Sequence, residues 1–267
     1  MALKHHVDDR ARFEQQVDNS RDFVLPFIER TLAIGDSTRV LEIGCGEGGV
    51  LKPFAEKGAY CLGVDMDSLR IDLANGFLKE EVAAGKMTFM LKNVYDVDFL
   101  ETYGGTFDLI LLKDTIEHIP EQDLFIPYIK KFLKPGGQMF FGFPPWQMPF
   151  GGHQQVALGG WTSKLPWYHL LPRFLYKALL KAGGEPEHKI SELMEIRDTG
   201  ITIERFEQII KRSGLRVVRK RHYLINPIYR YKFGLKPRRQ LAVVSAIPYV
   251  RDFLTTCVYY TVAEKHS

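Results

Sequence analysis

The sequence predicts an α/β fold: a doubly wound, mainly parallel sheet with helices on both faces. Three observations predict it. Apolar runs of strand length alternate with helix-like segments through residues 38–143, the pattern of a parallel sheet crossed by helices. The first run, Arg39 to Ile43, breaks into a glycine-rich turn and then a helix-like segment, Val50 to Lys57. The second run, Cys61-Leu62-Gly63-Val64-Asp65, ends on an acid. In such sheets ligands bind beyond the carboxyl ends of the strands.

Composition bounds the function. The chain has 267 residues, 45% hydrophobic and 25% charged, enough for a sizeable core. A net charge of +4 does not by itself argue for nucleic acid. The N-terminus is polar, so no signal peptide is expected, and no apolar run reaches the about 18 residues of a membrane span. Cys45, Cys61 and Cys257 lack metal-ligand spacing, so a reduced, cytoplasmic setting is expected and no metal motif is read. His5-His6 is assigned no role.

Residues 1–35 are expected to be helical, from Phe13, Val17, Val24, Phe27, Ile28 and Leu32, with a break near Pro26. Strands are expected near 38–43, 60–65, 87–92, 107–112 and 137–143. Helices are expected near 48–57, 68–84, 97–103 and 121–133. In the turn Gly44-Cys45-Gly46, the glycines remove the Cβ atoms that would hold a ligand away. Gly44, Gly46 and Gly49 satisfy G-x-G-x-x-G, and Asp65 follows about 20 residues on, as a dinucleotide site requires. Glu42 separates the alternatives. An acid there would face the pyrophosphate of NAD, whereas S-adenosylmethionine (SAM) presents a sulfonium and an amino group and no phosphate.

On these residues the sequence resembles the class I SAM-dependent methyltransferases, whose first motif is E/D-x-G-x-G. Glu117-His118-Ile119-Pro120 matches the family's E-H-I/V-P signature, and Leu133-Lys134-Pro135-Gly136-Gly137 its L-K-P-G-G punctuation. The resemblance covers residues 35–143 well and the C-terminal third loosely. It implies a Rossmann-like sheet of seven strands with the last antiparallel, a helical N-terminal cap over 1–35, and a SAM-binding domain over 36–267. Glu42, Gly44, Cys45 and Gly46 would hold SAM, Asp65 its ribose, and Met66 the adenine face. Asn93, where the family commonly has Asp, and Val94 would lie at the adenine, with Lys113 at the methionine portion. Asp114 caps a helix or faces the methyl-transfer site.

The remaining elements shape the acceptor side. The loop from Phe143 to Gln155 leaves the fifth strand with Trp146, Met148 and Phe150 beside His153. That mixture suits an aromatic or lipid-like substrate. His153 is the first choice for a general base and His118 the second, because imidazole titrates near neutrality. Either His could instead orient a loop by hydrogen bonding.

An insertion over about 144–200 mingles Trp161, Trp167 and Phe174 with Lys164, Arg173 and Lys177. It is expected to be a lid packed on its own domain, then a substrate lid, and third a peripheral membrane contact. Ile201 to Ser213 reads as a helix, Gly214 to Val218 begins a strand, and Cys257 to Ala263 forms the last one. A second insertion, about 225–254, carries Arg230, Lys232, Lys236, Arg238, Arg239 and Arg251 against Asp252 alone, interleaved with Tyr229, Tyr231 and Phe233. It suits an anionic small molecule, phospholipid headgroups or RNA, or is a solvated basic face; no RNA-binding motif accompanies it. The expected activity is methyl transfer from SAM to a hydrophobic or anionic small molecule, at a hydroxyl oxygen. The competing readings are an NAD-dependent oxidoreductase and a membrane-surface or RNA-binding module.

Overall fold

Val40 and Leu41 are fully buried, and Ile43 nearly so. A run apolar on both faces belongs in the middle of a sheet covered on both sides. The computed structural model describes residues 8–265, so His5-His6 lies outside the described residues. The eight strands are β1 (Arg39–Ile43), β2 (Tyr60–Asp65), β3 (Met87–Leu91), β4 (Phe107–Lys113), β5 (Leu133–Phe143), β6 (Leu215–Ile225), β7 (Arg238–Arg239) and β8 (Cys257–Glu264). They form one sheet in the order 3-2-1-4-5-8-6-7. β1 lies parallel to both β2 and β4, and β4 parallel to β5. β8 inserts antiparallel between β5 and β6.

The expected sheet had seven strands. The eighth is the two-residue β7, which pairs antiparallel with β6 and comes from the second insertion. β5 begins earlier than expected, at Leu133. That residue pairs with Phe107 before the register shifts, and regular pairing resumes at Gln138 with Leu109. The shift accommodates the Lys-Pro-Gly-Gly segment, whose Gly136 has φ +80. The chain runs outward through β2 and β3 and returns to β4 on the other side of β1. That reversal opens a crevice at the carboxyl ends of β1 and β4.

Apolar clusters cover both faces. One packs Phe125, Ile129, Phe206 and Ile210 against the sheet. The other packs Phe13, Val17, Val24 and Phe27 with Leu51 and Phe54. The N-terminal helix does not break at Pro26. It runs from Asp9 to Asn19, passes through a π turn at Ser20–Val24, and resumes at Leu25–Ile28. A proline lacks the N–H for a regular helical bond and crowds the preceding turn, and a wider turn relieves both. The helix expected near 48–57 shortens to Lys52–Glu56, because 48–51 form turns.

The first insertion has its own apolar cluster, with Tyr168, Tyr176, Leu180, Ile190 and Leu193 at its centre. Helices Arg173–Ala182 and Glu187–Thr199 form its body. Among the described residues no helix is long and apolar enough to cross a membrane.

Candidate active site

At the crevice, Gly44 takes φ +71, and a Cβ there would lie 2.7 Å from the Thr115 side chain. Glycine therefore lets the turn after β1 close onto the segment after β4. Two cavities meet here. One, of about 470 Å³, is lined by Gly44, Asp65, Met66, Asn93, Val94, Tyr95 and Phe125, among others. Its wall is largely apolar, which suits a purine. The other, of about 270 Å³, is lined by Arg12, Glu42, Cys45, Gly46, Lys113 and Asp114, among others. Gly44 and Asp65 line both. All nine residues expected to hold the cofactor thus line one or both of these neighbouring cavities.

Asp65 is aimed by backbone: its carboxylate accepts from Gly46 N at 2.8 Å and from Asp67 N at 3.0 Å. Each oxygen keeps a lone pair for a ligand hydroxyl. Met66 is 74% exposed beside it, an unspent apolar face. The amide oxygen of Asn93 already accepts from Tyr95 N at 3.0 Å. Its first duty is the turn, with one lone pair left over.

Glu42 is buried, and its Oε2 has no hydrogen-bond partner. Burial raises its pKa well above the usual carboxylate range; the Asp65 charge adds to this and Lys113 opposes it. A buried carboxyl without a partner is costly, and a cationic ligand in the adjoining cavity would offset that cost. The residues present therefore fit SAM, whose charged portion is cationic at sulfur and nitrogen.

Lys113 is buried and ion-paired with Asp114. Asp114 has φ +55 and lines the cavity, and the short helical turn Ile116–His118 is preceded by Thr115, so Asp114 caps nothing. Arg12, from the N-terminal helix, pairs with buried Glu47, which also pairs with Arg70. Arg12, Gln16 and Asp114 also line a smaller cavity with Lys113 and Lys232, which carries the path toward the second insertion.

His118 and His153 come from different loops, yet their rings stack 5.1 Å apart. Nδ1 of His153 is buried without a partner. Burial, reinforced by His118, pushes the His153 pKa down to about 4 against the pull of Asp114. Burial also lowers that of His118. Both rings are therefore neutral at pH 7. Glu117, read in the sequence only as part of the E-H-I-P motif, is 2% exposed, and neither of its oxygens reaches a donor of another residue. Burial raises its pKa well above normal, and the Asp114 charge raises it further. One donor atom each from Glu117, His118 and His153 lie within 4.8 Å of one another.

Other expectations are corrected. Met148 is 3% exposed and belongs to the interior, not to a substrate face. Trp146 lies against Gly200 and packs edge-on to His169, 4.6 Å away. His169 bridges Gln154 at 2.7 Å and the Trp146 carbonyl at 2.8 Å, so it fixes the loop. The six basic side chains of the second insertion do not form one patch. Arg251 is buried between Glu204 and Glu207, at 2.9 and 2.8 Å. Arg230 pairs with Asp22, and Lys232 faces the small cavity.

The sequence reading missed Arg12, Gln16 and Glu117 at this site. Only Glu117 carried a signal, as part of a recognised motif.

A methyltransferase-domain family profile matches residues 13–185. Among curated proteins, the ubiquinone biosynthesis O-methyltransferase of Bartonella tribocorum is 35% identical over 105 residues, 39% of this chain and 40% of that protein. The chain thus spans about two fifths of the length of the curated relatives it matches. Among solved structures, phosphoethanolamine N-methyltransferase 2 of Haemonchus contortus, in complex with S-adenosyl-L-methionine, superposes with TM-score 0.58 at 15% identity, over 97% of this chain and 58% of that one. Geranyl diphosphate C-methyltransferase of Streptomyces coelicolor gives TM-score 0.56 at 14% identity, over 91% and 79%. At these identities the structural likeness speaks for the fold alone.

Proposed function

Because the chain belongs to the methyltransferase-domain family, we propose that it transfers the methyl group of SAM to a hydroxyl oxygen of a small, hydrophobic or anionic acceptor. The observation that carries this is the buried Glu42 carboxyl beside the Gly44–Gly46 turn, whose Oε2 has no partner and which lines the smaller cofactor cavity. It suits a cation and disfavours a pyrophosphate.

The roles follow from position. Asp65 holds the ribose diol, while Met66, Val94 and Asn93 frame the adenine. Glu42, Cys45, Gly46 and Lys113 surround the methionine portion. When bound, SAM supplies an electrophilic methyl on a sulfonium. Transfer to the acceptor oxygen would leave the electron pair of the C–S bond on sulfur and would release the hydroxyl proton, so the protein's part is to position the oxygen and take that proton. The hydroxyl proton passes to the neutral imidazole of His153, with His118 stacked beside it, and on to water. Positioning accounts for much of the rate in such a transfer, and the packed insertion limits water. Lys113, Lys232 and Arg12 around the adjoining cavity favour an anionic group on the acceptor. The relatives' printed names favour oxygen as the acceptor atom. Exposed Phe174 and Leu175 on the helix that carries Lys177 suit peripheral contact with a membrane, which liposome sedimentation would test.

Calorimetric titration with S-adenosylhomocysteine tests the reading. Micromolar-range binding with no response to NADH is expected. A folded protein that binds NADH instead would overturn it. Replacing His153 with Ala should cut turnover about 100-fold, the scale of general-base contributions, and leave S-adenosylhomocysteine affinity unchanged.

A further inference from the structure

We propose that Glu117, His118 and His153 form a binding site for a divalent first-row transition cation, set beside the methyl-transfer cavity. Two observations carry it independently. The first is convergence. One oxygen and two imidazole nitrogens, from two loops 35 residues apart in the chain, lie within 4.8 Å of one another. Donors around a tetrahedral zinc sit about 3.3 Å apart, given bond lengths of about 2.0–2.1 Å, so small side-chain rotations close the triangle. Among the described residues this is the one such group of three.

The second is unmet bonding capacity. Glu117 is 2% exposed, and its carboxylate oxygens reach no donor of another residue. Nδ1 of His153 is likewise buried without a partner. Buried polar groups are ordinarily satisfied, and two unpartnered ones, Glu117 and His153, side by side call for a common partner. An isolated carboxylate is costly to bury, and a divalent ion would satisfy it together with both imidazole lone pairs.

The donor set fixes the chemical class. Two imidazoles and one carboxylate suit Zn²⁺, Fe²⁺ or Co²⁺ better than Ca²⁺ or Mg²⁺, which take oxygen ligands. Three protein ligands leave at least one position open. Asp114, which lines the cofactor cavity, interacts electrostatically with all three residues. Asp114 leaves β4 three residues before Glu117, and the role we assign to the open position is to take the acceptor oxygen beside the methyl donor. A coordinated hydroxyl loses its proton to water more readily, and its oxygen then attacks the methyl carbon as described above. With the ion bound, His118 and His153 would act as ligands, the hydroxyl proton would go to water directly, and His153 would give up the role of base. This role rests on the methyltransferase reading, but the ion's binding does not.

The test uses the full chain, stripped with chelator and titrated with Co²⁺, followed by visible absorbance. One equivalent should bind with the d–d bands of a four- or five-coordinate nitrogen–oxygen site. The variants Glu117→Gln, His118→Ala and His153→Ala should each weaken binding by about tenfold or more, since losing a ligand costs at least what losing its orienting partner does. Circular dichroism reports folding, and exposed His118 can be replaced with little risk to it. S-adenosylhomocysteine titration, run in parallel, reports on the cofactor site separately. Wild-type protein that binds S-adenosylhomocysteine but not Co²⁺ would overturn the metal site alone. So would Co²⁺ binding of equal strength in the His118→Ala/His153→Ala double variant. Co²⁺ binding without S-adenosylhomocysteine binding would uphold the site and overturn the methyltransferase reading.

Discussion

The carboxyl edge of the sheet and the insertion over residues 144–200 are both closely packed, yet they are held in different ways. At the sheet edge, strand register and long apolar runs place the site residues: Ile43 pairs with Val64, and Gly44 N continues the ladder to the Val64 carbonyl at 2.8 Å. In the insertion, buried polar ties do the equivalent work. Glu185 gathers Leu158 N, Gly159 N and the Thr162 hydroxyl, at 2.9, 2.7 and 2.6 Å. Asp252 receives Gln147 N at 2.9 Å and Ile203 N at 2.8 Å, and so joins the start of the insertion to the helix after it. A backbone laid down by periodic pairing tolerates many side chains. One hung on a few carboxylates depends on each of them. Changes at the sheet edge should therefore alter ligand affinity with little loss of stability, and changes at the ties should do the reverse.

The largest expected effect is at Asp65. Replacement with Ala should weaken S-adenosylhomocysteine binding about 100-fold, the loss of two hydrogen bonds to a carboxylate at about 1.5 kcal/mol each. Thermal stability should move little. A large loss of stability would show that its bonds to Gly46 N and Asp67 N matter more to the fold than to the ligand, and would blur the contrast.

Glu185 gives the converse case. Replacement with Ala should cost about 2 kcal/mol of stability and spare S-adenosylhomocysteine affinity. Burial alone would raise its pKa, but the Thr162 hydroxyl and the Leu158 and Gly159 amides outweigh it and hold the carboxyl below its ordinary range. A depressed folded-state pKa stabilises the protein above the unfolded value, near 4.3, and that stabilisation is lost as pH falls through the folded value. The gap between wild type and Glu185→Ala in urea unfolding should therefore be full at pH 7 and narrow in the acid range. A gap independent of pH would mean that the carboxylate charge is not what ties the insertion together.

The same contrast explains what was legible in the sequence. The parallel core could be read because its signals are local: apolar runs, punctuating glycines, an acid at a strand end. The nine residues expected to hold the cofactor line their cavities for that reason. The ties of the insertion could not be read, since Glu185 and Asp252 look like any exposed acid until the chain folds around them. Nor could the grouping of Glu117 with His153, which depends on two loops meeting across the ends of β4 and β5. Basic residues misled in the opposite direction. Arg251 and Arg230 counted toward one positive patch, but each is paired with acids elsewhere in the chain.

Arg12 belongs to neither class and gives the finest test. It comes from the N-terminal helix, lines the smaller cofactor cavity, and pairs with buried Glu47. Arg70 also pairs with Glu47, so that carboxylate keeps a partner when Arg12 is removed. Arg12 also pairs with Asp9, but its Nε is buried without a partner, which leaves that donor to serve the carboxylate of the methionine portion. Arg12→Ala should weaken S-adenosylhomocysteine binding about tenfold, or about 1.4 kcal/mol, and Arg12→Lys should recover part of it, since lysine keeps the charge but not the planar fork. A tenfold loss at low salt that shrinks at high salt would make the helix part of the cofactor site. Unchanged affinity with lowered stability would place Arg12 with the ties, as a partner for Glu47 alone, and the cofactor site would then be built from the sheet edge without help from the helix that covers it.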